Sequence, residues 1–389
     1  MQNEFQILQQ LRETPELLAF IRESSSDELS IQTKLRSKFD ADVVRAALSL
    51  HKTRKKASPK FSQAEKMWFD RQGYEQATAE IVAQHKAKRF SGTVWDLCCG
   101  IGSDAIAMTK QAEVIAVDRN PVACLRTSWN AGVYSVANSV QPVCADVTKL
   151  KFNRTELVHI DPDRRSASHG RAVRIEDYEP GVEFLQQTMS RTSGGAIKLS
   201  PASNFAGQFE NVEYELVSLK GECKEATIWF GSLAEPGVWR ATVLPEGDSL
   251  AGDPLDAYAE QTPLGNYLYD PDPSIVRSGL VDLLCDREGF SRLDDTEEYL
   301  TSENYINSHF ARGFEVLDEL PNNARDIRRY FRNGDFRSVE IKCRHIPINA
   351  EAVRKKLPLK GTQPVVLFYA RIDGKARAIV ARRVNDHAS

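Results

Sequence analysis

From Thr93 onward, short apolar runs alternate with segments in which apolar residues recur at helical spacing. The runs predict strands at Thr93–Leu97, Glu113–Asp118, Val140–Val147, Leu157–Ile160 and Gly195–Leu199. Between them, helices are expected to open at Ser103-Asp104, with Ala105, Ile106, Met108 and Thr109 facing a sheet, and over Pro121–Val136 and Tyr178–Arg191. Asn120-Pro121 reads as a helix cap followed by a first-turn proline. Strand and helix in regular succession demand a parallel, doubly wound sheet of Rossmann-like α/β class, with ligands at the C-terminal strand edge. The pattern then changes. Val212–Leu219 and Ala226–Phe230 are rich in β-branched and aromatic residues, and Lys-Gly-Glu-Cys-Lys-Glu between them is too short for a crossover helix. They are expected to form an antiparallel hairpin at the end of the sheet, with Trp239–Leu244 as a further strand.

The flanks follow other rhythms. Residues 1–90 read as a helical N-terminal module: Thr14-Pro15-Glu16 and the capping box Ser25-x-x-Glu28 start helices, and Leu8, Leu11, Leu17, Leu18 and Ile21 form one buried stripe. A basic cluster, Lys52, Arg54, Lys55, Lys56 and Lys60, precedes Phe61, Trp68, Phe69 and Tyr74. It is expected to be a solvated linker into a helix with an aromatic face, the rival being a phosphate-contacting edge. A helix from Glu75 to near Phe90 would cover a pocket and offer the Thr78 hydroxyl. The central domain is drawn at 91–245, because Pro245–Pro254 is rich in Gly, Pro and Asp and reads as a boundary. Beyond it, an acidic region (246–320), mostly helix and loop, leads to a basic α+β module (321–389). That module has helices at Ala324–Phe331 and Ala350–Leu357, a strand at Arg337–Cys343, and strands Val365–Arg371 and Ala376–Arg382 joined by an Asp373-Gly374 hairpin turn.

The chain has 389 residues, enough for two or three domains, and its 41% hydrophobic and 27% charged content suits a soluble globular protein. No apolar run is long enough to span a bilayer, and the N-terminus lacks a basic-then-apolar signal pattern, so no membrane role and a cytoplasmic location are expected. Seven scattered cysteines lack metal-ligand spacing; no metal is expected and the thiols read as reduced space-fillers. A net charge of −3 conceals an asymmetry: Glu246–Glu319 carries 18 acidic against 4 basic residues, Pro321–Ser389 16 basic against 6 acidic. The basic tail suits a polyanion or a solvated face, and Arg328, Arg329 and Arg332 fit both.

The chemistry concentrates in Thr93-Val-Trp-Asp96-Leu-Cys98-Cys99-Gly100-Ile-Gly102-Ser-Asp104. Glycines without Cβ let a ligand lie on the main chain, and the helix start that follows offers N–H groups. Gly100-x-Gly102-x-x-Ala105 with Asp118 also satisfies a dinucleotide fingerprint. That fingerprint does not require acids at three successive strand ends (Asp96, Asp118, Asp146) or Asp161-Pro162-Asp163 after the fourth.

Asp96-x-x-x-Gly100-x-Gly102, Asp118, Asp146 and Asp161-Pro162 together resemble the motifs of class I S-adenosylmethionine-dependent methyltransferases over residues 93 to about 232. With Glu-Gln-Ala-Thr78 ahead of the core and the basic tail behind it, the whole chain resembles bacterial methyltransferases ending in a THUMP-like domain. More distantly, the core is similar to the trimethylguanosine synthase group, which acts on RNA cap guanine. The resemblance implies S-adenosylmethionine as cofactor and RNA as partner, through an exocyclic amine of a base. Gly100 and Gly102 would hold the methionine end, Asp118 both ribose hydroxyls and Asp146 the adenine amino group; Thr78, Asp96, Cys98, Asp104, Arg119, Asn120 and Val147 complete the implied cofactor set. Asp161, held by Pro162, would orient the amine, Asp163 would assist, and Arg164 and Arg165 would grip a substrate phosphate. Enzymes that methylate such amines usually follow Asp/Asn-Pro with Pro and a stacking aromatic; this chain has Asp163-Arg164 there, so that partner is missing from the motif. The alternatives are a methyltransferase of a small molecule or protein, and a non-catalytic protein that keeps the cofactor pocket and binds RNA.

Overall fold

A computed structural model describes residues 4–24, 28–164 and 174–384. The capping box at Ser25, Arg165 and the side chain of Arg164 lie outside the described residues. The chain separates into two compact units, Met1–Glu213 with Ala226–Pro236, and Tyr214–Glu225 with Gly237–Ser389.

The first unit begins with α1 (Glu4–Glu13), α2 (Pro15–Glu23), α3 (Glu28–Arg36) and α4 (Ala41–Ala57). Leu8, Leu11, Leu17 and Ile21 are buried as the apolar stripe requires. The basic cluster is not a linker. Lys52–Lys56 form the last turns of α4, which Asp40 caps by accepting from the Asp42 and Val43 amides. Arg54 Nε donates to the Met67 carbonyl (2.8 Å) with its guanidinium 5.5 Å from the Trp68 ring, and Lys60 Nζ donates to Tyr74 O (2.8 Å). Two of the five cations are therefore spent on the protein itself. The aromatic segment Phe61–Phe69 forms turns, and α5 (Arg71–Gln76) starts only after Asp70 caps it. Ala77 and Ala79 are extended, which delays α6 to Glu80–Ala87, five residues past the expected start at Glu75.

Five parallel strands follow: β1 (Gly92–Leu97), β2 (Ala112–Asp118), β3 (Val140–Cys144), β4 (Leu157–Ile160) and β5 (Gly194–Leu199), in the order β3-β2-β1-β4-β5. The interleaved helices are α7 (Ser103–Met108), α8 (Pro121–Val133) and α9 (Val182–Arg191). Asn120 caps α8, accepting from the Val122 amide at 2.9 Å. β3 ends three residues early because Asp146 turns the chain into a short 3-10 segment, Val147–Lys149. α9 starts late because Tyr178-Glu179 pairs with Asp163-Arg164 in a two-residue ladder. β6 (Val212–Leu219) turns at Lys220-Gly221, both at positive φ, and returns as β7 (Glu222–Gly231), whose Ala226–Gly231 runs antiparallel to β5. The doubly wound sheet closed by an antiparallel strand is the architecture the apolar runs require.

The second unit has two sheets. Tyr214–Leu219 pairs in parallel with β8 (Trp239–Leu244), which pairs antiparallel with β9 (Asp248–Gly252). The Gly-, Pro- and Asp-rich stretch expected to be a break is thus a hairpin, with Gly247 at φ +87°. The acidic region, expected to be mostly helix and loop, contains further strands: β10 (Tyr267–Pro271), β11 (Leu300–Ser302) and β12 (Ala311–Pro321), beside α10 (Pro273–Ser278) and α11 (Val281–Glu288). They form a seven-stranded sheet with Ser291-Arg292 and the basic tail. The tail comprises α12 (Ala324–Asn333), β13 (Phe336–Cys343), α13 (Ala350–Arg354), β14 (Gln363–Ile372) and β15 (Lys375–Arg383). β10 and β11 are short, and the partners of these acidic-region strands lie far along the chain (β12 pairs with β15), so local patterning does not reveal them. Asp373-Gly374 makes the expected tight hairpin, both residues left-handed (φ +47° and +70°). Among the described residues no helix is long and apolar enough to cross a membrane.

Candidate functional site

At the C-terminal edge of β1 the chain turns through Cys98 (φ +62°), Gly100 (φ +57°) and Gly102 (φ +82°) into α7. Neighbouring elements fix this loop. The Cys99 amide donates to Val117 O of β2 (3.0 Å), and from α8 Thr127 Oγ1 donates to Gly100 O (3.0 Å) and Asn130 Nδ2 to Ile101 O (3.0 Å). Asn130 is fully buried, and its oxygen accepts from the Trp68 amide (2.7 Å), which ties the helical front segment to the loop. The two glycines differ in what they permit. A Cβ at Gly100 would meet nothing within 4 Å, so the main chain there is bare, whereas one at Gly102 would sit 2.8 Å from Thr127 Cγ2. The Gly102 amide is also used within the loop, donating to Cys99 O at 2.9 Å. Gly100 is open to a ligand; Gly102 lets α7 pack on α8.

The acids divide into those facing the edge and those beneath it. Asp118, at the end of β2, accepts from the Gly100 amide with Oδ2 (3.0 Å) and from the Asn120 amide with Oδ1 (2.8 Å). Burial raises its pKa against the pull of these two amides. Asp161, after β4, is joined to the loop through its amide, which donates to Leu97 O (3.1 Å). Its Oδ2 lies 2.6 Å from Lys198 Nζ on β5. Burial pushes Asp161 up, and the Lys198 ammonium opposes it. Pro162 is buried, and Asp163 Oδ1 accepts from Gln76 Nε2 at 2.7 Å. Cys98 lies among these groups: burial first, then the charges of Asp118, Asp161, Asp96 and Asp163, push its thiol well up, so it stays neutral.

Beneath the loop, Asp96 is buried with Oδ1 2.7 Å from His159 Nδ1. Burial raises its pKa, which the histidine partly offsets. Asp104 accepts from Thr78 Oγ1 (2.6 Å) and pairs with Lys86 Nζ (3.0 Å); burial would raise its carboxyl, but Lys86 holds it well below the usual range. Thr78, Asp96 and Asp104, expected on the cofactor, thus bond to other protein groups and brace the loop from behind. Asp146 is exposed at the end of β3, accepting from the Thr148 hydroxyl (2.7 Å) and amide (3.0 Å), which lower its pKa; Val147 beside it is buried. Arg119 is exposed and pairs with Glu179 at 3.1 Å. Sequence reasoning missed Lys198, Gln76, Thr127 and Asn130. Only Lys198 left a trace, as the lone charge in the apolar run Gly194–Leu199. Among the described residues no cluster suits a metal ion.

Comparison with known proteins decides what this edge belongs to. An uncharacterized S-adenosylmethionine-dependent methyltransferase of Mycobacterium tuberculosis, found in strains CDC 1551 and H37Rv, is 32% identical over 311 residues, 78% of this chain and 84% of the relative. The chain belongs to the S-adenosylmethionine-dependent methyltransferases. Residues 91–181 match the family described as RNA cap guanine-N2 methyltransferase, and residues 311–383 the family described as THUMP domain-like. A crystal structure named as a methyltransferase, from Porphyromonas gingivalis W83, shares the fold over 99% of this chain and all of its own, with a TM-score of 0.76 at 18% identity.

The methyltransferase's cofactor is S-adenosylmethionine, and the residues present fit it. A ligand can reach the bare main chain at Gly100, and Asp118 keeps acceptor capacity beyond its two amide donors, as a vicinal diol requires. Replacing either glycine by alanine costs about 1–2 kcal/mol for the left-handed backbone. Gly102→Ala adds overpacking against Thr127, typically ~1–3 kcal/mol. Thermal melts should therefore show Gly102→Ala as the less stable variant. Calorimetry should show Gly100→Ala losing S-adenosylhomocysteine affinity while melting above Gly102→Ala; equal melting of the two would remove the distinction.

Proposed function

We propose that this methyltransferase acts on RNA, at an exocyclic amine of a base. The observation that carries this reading is the Asp161-Pro162 turn at the end of β4, fastened by its amide to the strand that feeds the glycine loop. Asp161 Oδ1 takes no hydrogen bond from the described residues, so the turn offers one anionic acceptor beside the cofactor edge. An amine bound there donates an N–H to Oδ1, which directs its lone pair and leaves an acceptor close to the proton it sheds. The cofactor would supply a methyl on a sulfonium, its C–S bond breaking as the amine's C–N bond forms, with S-adenosylhomocysteine as the leaving group and the amine proton passing to an acceptor. Asp118 would hold the ribose and Gly100 the methionine end. Asp163 is steadied by Gln76. The match of residues 91–181 to guanine-N2 methyltransferases supports an amine on a base over a hydroxyl or thiol.

The basic tail supports the polyanion. Most of its sheet arginines are neutralised: Arg377 pairs with Glu319 (3.0 Å), Arg382 with Glu315 (2.8 Å), and Arg383 with Glu340. On α12, Arg329 pairs with Asp326 (2.7 Å), but Arg325, Arg328 and Arg332 are exposed without a carboxylate partner among the described residues, one helical face apart from the buried Ile327 and Phe331. Replacing these three by glutamine should weaken binding of total cellular RNA whatever its sequence and reduce the salt slope by about 2–3. Filter binding across a salt series checks this, and an unchanged slope would remove α12 from the interface. The function as a whole is tested by tritiated methyl transfer into fractionated RNA from cells lacking the protein, followed by nucleoside analysis. Label on an N-methylated base is expected; label confined to protein or small molecules would overturn the reading.

A further inference from the structure

Lys198 has a place that packing alone does not demand. It is the charged residue in the apolar strand β5, and the β4–β5 register, which sets Ile160 against Ile197, puts it directly across from Asp161. Its side chain is only 14% exposed. The ammonium bridges Asp161 Oδ2 (2.6 Å) and the carbonyl of Gln76 (3.2 Å), the last residue of α5. The amide side chain of the same Gln76 holds Asp163 Oδ1 at 2.7 Å. The Asp161-Pro162-Asp163 turn is thus gripped twice, once through each carboxylate, by a strand and a helix on either side of it.

We propose that Lys198 is the positioning residue of the Asp161 carboxylate: it pins Oδ2 and keeps the group ionised, which leaves Oδ1 as the acceptor for the substrate amine. This rests on the amine reading of Asp161. The charged and titratable groups facing Asp161 are Lys198 on β5, Asp104 on α7, Lys86 on α6, the Cys98 thiol in the glycine loop and Asp163 on its own turn. Asp104 repels the anion and burial penalises it, while Lys86 is already engaged by Asp104. Lys198 is therefore the cation in direct contact that keeps Asp161 charged. A protonated carboxyl keeps only a weaker, neutral acceptor and has no place for the proton the amine sheds. The sign follows: Lys198 stabilises the anion, so its removal raises the pH at which Asp161 gains its proton and activity fails from the acid side first.

The test uses the full chain labelled with 13C at aspartate carboxyls, the Asp161 signal being identified with Asp161→Asn. In Lys198→Met, which keeps the apolar stem and deletes the charge, the midpoint of Asp161 should rise by about one unit, a tenfold change in proton affinity. Lys198→Arg should return it close to wild type. With total RNA as methyl acceptor, the acid limb of kcat should move with the midpoint while S-adenosylhomocysteine affinity stays within about threefold. A purely structural lysine would lower the melting temperature and leave both midpoint and limb in place, and that result overturns the proposal. Should Lys198→Met fail to fold, Lys198→Gln decides by the same readouts. If wild type labels no RNA, the RNA reading fails, while the carboxyl titration still decides the role of Lys198.

Discussion

Asp161→Asn should reduce methyl transfer by about 100- to 10,000-fold, the usual worth of a positioned proton acceptor, with S-adenosylhomocysteine affinity within a few fold of wild type. The substitution keeps shape and removes charge. Its amide can still offer an oxygen, but the NH2 end must then face Lys198, or the oxygen must face Lys198 and leave the NH2 toward the amine. In either orientation one contact of the wild-type arrangement, Oδ2 with Lys198 at 2.6 Å and Oδ1 with the substrate, is lost. The effect belongs in kcat, because an interaction made with the reacting amine does not contribute to cofactor binding. Single-turnover transfer and calorimetry together check it. Wild-type turnover in the variant would refute the role given to Asp161.

The second large effect is the reverse. Asp118→Ala removes a carboxylate placed to take both ribose hydroxyls, and hydrogen bonds to a charged group contribute about 1.5–3 kcal/mol each. Loss of both predicts cofactor affinity lower by roughly 100-fold or more. The same carboxylate holds the amides of Gly100 and Asn120, so the alanine variant also loosens the loop. Asp118→Asn separates the two effects: it retains an acceptor for one amide and has weaker acceptors for the diol. Calorimetry on both variants, with melting curves as a control on folding, gives the result. S-adenosylhomocysteine binding at wild-type strength to Asp118→Ala would place the ribose elsewhere, and the account of the glycine edge would fall with it.

How much of this could be read from residues alone differs between the elements. β4, β6 and β8 begin and end where their apolar runs do, since a buried strand needs only local hydrophobicity and a turn at each end. Where a polar side chain redirects the backbone, the runs mislead: Asp146 ends β3 early, and the Asp163-Arg164 ladder takes Tyr178-Glu179 away from α9. The acidic region was misjudged because its strands are held by partners distant in sequence. In the site, Asp118 and Asp161 were legible as strand-end carboxylates. Thr78 was read on a covering helix and Asp104 at the start of the helix after the glycine turn, and spacing does not reveal that the two bond to each other or that Lys86 claims Asp104 from a neighbouring helix.

By itself the sequence determined the order of strands and helices from Thr93 to Leu244, the glycine turn and the acids that end successive strands, because each depends on neighbours a few residues away. Tertiary structure alone decided which of those acids reach the open edge and which brace it from beneath, that Gly102 serves packing while Gly100 lies bare, and that Lys198 stands over Asp161. These outcomes depend on register between strands and on helices crossing behind a loop, and the pairing of charges across such contacts is settled by burial and distance that no single stretch of chain encodes.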